Sequence, residues 1–323
     1  NTSVSGFNFK HLWGLFFSIY EKDLMYTVKW LLLPLYGYIP LILFAFTRKK
    51  IFIKNINTEK IILIFIFLST TGIIIFAGPN MVESEELILD VAKNVKKIGA
   101  HFLRGGAFKP LTFPYRSKKY TETREDGIRW LSRAKKKYGI PIITEVMEEK
   151  YLPLVAEVAD IIQIGSRNMQ NFPFLTACAK TQKPIMLKRH FGCSLRDWLG
   201  AAEYILYEGN KKVLLCERGV SAPHTHRSTS RFLLDLQVVP AAQEVTHLPI
   251  IVDPSHATFW RPWVEPMALA SVAAGADGVM LEVHPDPENS AVDPLQPINY
   301  NDFKNLIKKM DILAKKVLNK SII

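Results

Sequence analysis

The chain has 323 residues, 48% hydrophobic and 22% charged, with 41 Lys and Arg against 30 Asp and Glu for a formal charge of +11. These proportions exclude wholesale disorder, and the length suits one large domain with an appendage or two modest domains. The charge lacks the Lys/Arg stripes beside aromatic platforms that nucleic-acid binding uses, so no nucleic-acid partner is expected. Three widely spaced cysteines (Cys178, Cys193, Cys216) form neither a disulfide framework nor zinc-type pairs, which points to a reducing, cytoplasmic compartment.

Residues 1–76 differ from the rest, with eight Lys or Arg against three Asp or Glu. Trp30 to Thr47 and Ile61 to Phe76 are nearly continuous apolar runs, joined by a basic link at Arg48, Lys49, Lys50, Lys54 and Lys60. That is the outline of a membrane hairpin. Against it, both runs are short for a span of ~20 residues. Pro34 and Pro40 interrupt the first run, and Ile73 to Ala77 is needed as the first strand of the regular domain beyond it. Residues 1–72 are therefore read as a hydrophobic, basic extension, with membrane contact through 30–76 as the alternative, and 73–323 as the main domain.

From Ile73 onward short β-rich runs alternate with amphipathic stretches. The runs fall at 73–77, 100–104, 141–146, 160–164, 184–188, 212–217, 249–253 and 278–283. Helical patterns lie near 84–98, 122–138, 148–158, 171–181, 194–208, 229–244, 262–275 and 300–317. Eight strand–helix units predict an α/β fold, a closed parallel (β/α)8 TIM barrel. No Gly-x-Gly-x-x-Gly turn comes after the first strand, which speaks against a doubly wound open sheet.

Such a barrel keeps its chemistry at the C-terminal ends of its strands. In order those ends carry Asn80, Arg104 with Lys109, Glu145, Arg167, Lys188 with Arg189, Glu217 with Arg218, Asp253 with His256, and Glu282 with His284. Convergent cations repel unless an anion sits among them, so the pattern predicts a pocket for one or two phosphate or carboxylate groups. His256, Glu282 and Asp293 form a second constellation. Such a trio suits either a divalent metal or plain hydrogen-bonded structure.

The motifs at these ends are Ala77-Gly78-Pro79, Leu103-Arg104-Gly105-Gly106-Ala107-Phe108-Lys109-Pro110, Thr144-Glu145-Val146-Met147 and Gln163-Ile164-Gly165-Ser166-Arg167-Asn168. They continue with Leu187-Lys188-Arg189, Cys216-Glu217-Arg218-Gly219, Val252-Asp253-Pro254-Ser255-His256 and Glu282-Val283-His284-Pro285-Asp286-Pro287. With them the stretch from Ala77 to about Lys315 resembles the 3-deoxy-D-arabino-heptulosonate 7-phosphate (DAHP) synthases, a class that also contains the KDO-8-phosphate synthases. Members join phosphoenolpyruvate to an aldose phosphate and release inorganic phosphate.

The resemblance implies that phosphoenolpyruvate is held by Arg104, Lys109, Ser166, Arg167, Lys188 and Arg218. It implies catalytic roles for Lys109, Glu145 and His256, and an acceptor site at Pro110, Thr112 and Asp253, to which Arg227, on the long loop after the sixth strand, is added as a candidate cation. A divalent metal (Mn²⁺, Fe²⁺ or Zn²⁺) would fall to His256, Glu282, Asp293 and the residue at 80. No organic cofactor is implied, and the assembly expected is a homo-oligomer. The leading function is condensation with erythrose 4-phosphate, the first step of the shikimate pathway. Alternatives are a KDO-8-phosphate synthase-like enzyme using arabinose 5-phosphate or another aldehyde, a Schiff-base aldolase through Lys188, and a non-catalytic binding barrel.

Four departures stand out. Metal-binding members have Cys where this chain has Asn80, and a neutral amide is a poor ligand. Family members read Lys-Pro-Arg-Thr-Ser where this chain has Lys109-Pro110-Leu111-Thr112-Phe113, so Leu111 lacks a charge-assisted pair worth roughly 1.5–3 kcal/mol. The loop after the sixth strand is long and holds His224-Thr225-His226-Arg227, either a solvated segment or the source of the missing cation. Strand five ends Lys188-Arg189-His190, where glycine is usual after the Arg. The regulatory domain of many relatives is not recognisable in residues 1–76, so no aromatic-amino-acid feedback through it is expected.

Overall fold

Eight parallel strands close on themselves. The computed structural model describes residues 72–109, 122–223, 226 and 231–322. Its strands are β1 (Gly72–Gly78), β2 (Phe102–Arg104), β3 (Ile142–Glu145), β4 (Ile161–Ile164), β5 (Ile185–Lys188), β6 (Val213–Glu217), β7 (Ile250–Val252) and β8 (Gly278–Glu282). Each pairs in parallel with the next, and β1 pairs with both β8 and β2, which completes the barrel. The helices between them are α1 (Glu85–Ile98), α2 (Arg124–Tyr138), α3 (Leu152–Val158), α4 (Phe172–Lys180), α5 (Leu195–Tyr207), α6 (Val238–Gln243), α7 (Pro254–Thr258), α8 (Arg261–Ala273) and α9 (Tyr300–Leu313). Ser84, Asn171, Ser194 and Asn299 cap their helices by accepting backbone N–H bonds.

The strands match the sequence expectation closely. Two details differ. The helix expected over 229–244 is confined to Val238–Gln243, and residues 231–237 run as loop. A ninth strand, β9 (Ser321–Ile322), pairs in parallel with the foot of β1 through Gly72↔Ser321 and Ile73↔Ile322. Of the apolar run ending at Phe76, residues 72–76 belong to β1, and the rest of the supposed membrane hairpin lies outside the described residues. No described helix is long and apolar enough to cross a membrane.

Alternation along each strand decides what faces the lumen. Ile74, Phe76, Phe102, Ile143, Ile161, Met186, Leu214, Ile251 and Met280 form one buried cluster, the plug of the barrel. Ile73, Ile75, Leu103, Ile142, Ile162, Ile185, Leu187, Leu215 and Val252 join the larger cluster between sheet and helices. Two residues beyond the plug, on the same parity, come Gly78, Arg104, Glu145, Gln163, Lys188, Asp253 and Glu282. Arg104, Glu145, Gln163, Lys188, Asp253 and Glu282 are all buried.

The opposite parity explains Arg189 and Glu217, which belong to the wall rather than the pocket. Arg189 donates to Glu217 Oε2 at 3.0 Å, to Asp235 Oδ2 at 2.8 Å and twice to the Cys193 carbonyl. Replacing Arg189 by Met is expected to cost about 3–5 kcal/mol, because buried Glu217 is left charged and unpaired. Urea midpoints check this, and a loss under about 1 kcal/mol, the worth of an exposed pair, would count against it.

Candidate active site

At the C-terminal mouth the side chains converge on Asn80. Its Oδ1 accepts from Arg104 at 2.6 Å and from Lys109 Nζ at 2.8 Å, and lies 3.2 Å from His256 Nε2. Its Nδ2 donates to Asp293 Oδ2 at 2.9 Å. Arg104 is buried, has no carboxylate partner among the described residues and leaves its second terminal nitrogen without a hydrogen bond. An arrangement of this kind is incomplete until an anion arrives.

Glu145 is buried and accepts from Gln163 Nε2 at 3.1 Å. Gly165 makes room for it, since a Cβ there would stand 1.9 Å from Glu145 Oε1. Lys188 is ion-paired with Asp253 at 2.5 Å, both deep in the lumen. Asp253 also meets His256 Nδ1 at 2.8 Å and caps α7 by accepting from the His256 backbone. Arg218 is half-buried, lies over the Phe232 ring at 4.2 Å and has no carboxylate partner among the described residues. Ser166 is half-buried and Arg167 exposed, both in the turn after β4. Pro110, Thr112 and Arg227, expected on the acceptor side, lie outside the described residues, as do Leu111 and Phe113.

These placements tune the charges. Burial, and then the neighbouring Arg104, bring the Lys109 ammonium down to about 8. Burial pushes Glu282 up to about 7, with Asp293 adding to the rise and Arg104 opposing it. Burial works against the Asp253 carboxylate, but the hydrogen bond from the His256 ring and the charge of Lys188 hold it well below the usual range. Burial, helped by Lys188 and Arg104, drives His256 well below its ordinary value, so the ring is neutral near pH 7.

The donor set does not fit a tightly held divalent metal. The Asn80 amide oxygen is already claimed by two cations, and a third positive charge beside them would be repelled. Asp293, the third candidate donor, turns instead to the Asn80 amide and to Arg231. Among the described residues no three His, Cys, Asp or Glu side chains are grouped to share an ion.

Several site residues carry no motif of their own. Gln296, fully buried, donates to Glu282 Oε2 at 2.5 Å. Arg261 clamps the loop after β8 through the carbonyls of Pro294 and Pro297 and through Glu288. Asp293 sits on that loop in the left-handed region at φ 51°, an uncommon place for a non-glycine and a mark of a constrained site. His284 and Glu83, 3.2 Å apart, tie the loop after β8 to the loop after β1.

Known proteins resemble this chain in sequence and fold. A phospho-2-dehydro-3-deoxyheptonate aldolase of Thermotoga maritima is 43% identical over 240 residues, 74% of this chain and 69% of the relative. A 2-dehydro-3-deoxyphosphooctonate aldolase of Pisum sativum is 32% identical over 68% of this chain and 80% of its own length. The crystal structure of a Thermotoga maritima DAHP synthase superposes with a TM-score of 0.71 at 41% identity, over 76% of this chain and 70% of that one. A truncated form from the same organism gives 0.68 at 40% identity, covering 76% and 88%. The DAHP synthetase I family model matches residues 69–319, and with barrel, strand-end motifs and relatives in agreement, the chain belongs to that family.

Proposed function

We propose that this chain condenses phosphoenolpyruvate with erythrose 4-phosphate to give DAHP and inorganic phosphate, the first step of the shikimate pathway. The observation that carries the reading is the pair of guanidiniums, Arg104 and Arg218, that have no carboxylate partner among the described residues, on either side of a lumen that also holds Lys109 and Lys188. A small molecule with a phosphate and a carboxylate answers that charge.

In this reading Arg218, with Arg167 and Ser166 on the rim, takes the phosphate of phosphoenolpyruvate, and Arg104 with Lys188 takes its carboxylate. The C3 carbon attacks the acceptor aldehyde, and Lys109 gives its proton to the aldehyde oxygen as the new carbon–carbon bond forms. Water adds at the electron-poor C2 while Glu145 orients it and takes its proton. The resulting hemiketal phosphate releases inorganic phosphate. Neutral His256, fixed by Asp253, lines the acceptor side. A Schiff-base route through Lys188 is disfavoured because its amine nitrogen is occupied in the ion pair with Asp253.

The same reading keeps the protein in the cytoplasm as a homo-oligomer, in keeping with three buried free thiols. It also makes a divalent metal dispensable or weakly held, as the donor set argues. The test is phosphate release from phosphoenolpyruvate with erythrose 4-phosphate, arabinose 5-phosphate and the unphosphorylated sugars, each with EDTA and with added Mn²⁺. Turnover with erythrose 4-phosphate that survives EDTA is the expected result. Release only with arabinose 5-phosphate would reassign the acceptor, and abolition by EDTA with rescue by Mn²⁺ would overturn the metal reading.

A further inference from the structure

We infer that Arg231, on the loop after β6, grips the terminal phosphate of the acceptor aldehyde and so sets the preference for a phosphorylated sugar. The inference rests on the condensation proposed for this site. The Arg231 guanidinium lies over the Phe259 ring at 3.6 Å, and stacking on an aromatic face leaves the in-plane N–H donors free to meet an oxyanion. Its side chain is 45% exposed, so a ligand can reach it. Its carboxylate contact is to Asp293 Oδ1 at 3.5 Å, the outer edge of a hydrogen bond and easily exchanged for a better one.

Position gives this cation its meaning. Asp293 Oδ2 accepts from Asn80 at 2.9 Å, and Asn80 Oδ1 accepts from Lys109 at 2.8 Å. A line of contacts therefore runs from the ammonium that protonates the aldehyde to Arg231 at the rim. A four-carbon chain with a terminal phosphate spans roughly 7 Å when extended. With its aldehyde oxygen at Lys109, such a sugar carries its phosphate outward along that line. Arg218, whose pKa is lowered chiefly by burial, also feels the charge of Arg231, so bound anions relieve a repulsion between the two guanidiniums. Phosphoenolpyruvate answers Arg218, and the acceptor answers Arg231.

Arg231 could instead serve only to latch Asp293, and kinetics separate the two roles. Arg231→Met and Arg231→Lys are assayed for phosphate release from phosphoenolpyruvate with erythrose 4-phosphate and with erythrose. Grip on phosphate predicts that Arg231→Met lowers kcat/KM for the phosphorylated sugar about 10- to 100-fold, the worth of one charge-assisted contact. The unphosphorylated sugar and the KM for phosphoenolpyruvate should be unmoved, and Arg231→Lys should recover part of the loss. Equal losses with both sugars would mean a latch acting through Asp293 and would overturn the inference. An unchanged preference in an enzyme that turns over erythrose 4-phosphate would overturn it while leaving the proposed reaction standing. A wild-type protein that binds phosphoenolpyruvate but ignores erythrose 4-phosphate would overturn both.

Discussion

Lys109→Met is expected to lower kcat by about 10²- to 10⁴-fold, the range of a lost general acid. The side chain is held 2.8 Å from Asn80 Oδ1, so its geometry does not depend on a flexible stem. Its pKa, brought to about 8 by burial and by Arg104, leaves it protonated near neutrality and ready to release that proton. The acid form is present below the pKa and lost above it, so kcat/KM of the free enzyme should fall as pH rises through about 8. Asn80→Asp places a carboxylate beside the ammonium and should move that fall to higher pH. A variant lacking Lys109 that keeps a tenth of its turnover, or a basic limb unmoved by Asn80→Asp, would exclude this role.

Glu145→Gln should suppress phosphate release to a similar degree while phosphoenolpyruvate still binds, since the amide keeps the shape but cannot take the proton of water. Gly165→Ala is the informative companion. Its Cβ would fall 1.9 Å from Glu145 Oε1 and 3.0 Å from Cδ, so the carboxylate must swing away while remaining in the protein. Displacement of order 1 Å commonly costs about 10²-fold in rate. Single-turnover phosphate release, with phosphoenolpyruvate binding measured in parallel, reads both variants. Normal turnover by Glu145→Gln would remove Glu145 from the chemistry, and normal turnover by Gly165→Ala would show that its placement is unimportant.

The contrast between Lys188 and Arg189 shows how far a one-dimensional pattern reaches. Adjacent in the chain, they look like one cationic strand end. The period of two, counted from Met186 in the plug, puts Lys188 in the lumen and sends Arg189 into the wall with Glu217. That count was available in the sequence. The eight strands were readable for the same reason, as short β-branched runs between helical stretches. Gly165 and Arg231 are different. The role of Gly165 depends on a carboxylate from the neighbouring strand, and the place of Arg231 on a ring from the loop after β7. The expected helix over 229–244 failed where loop residues bend back, with Asp235 drawn to Arg189 and Leu233 bridged to Val220. Long-range partners outweigh local propensity there.

One of the two three-residue strands of the barrel, β2, carries Arg104. β2 has three residues and joins each neighbour through only two registered pairs, Phe76↔Phe102 and Ala77↔Leu103 on one side, Leu103↔Ile142 and Arg104↔Ile143 on the other. Fraying of that seam and departure of an anion from Arg104 are therefore coupled steps of one equilibrium. By mass action, an anion bound at Arg104 favours the closed form of this seam. The substrate, while it waits to react, acts as a hoop for the barrel.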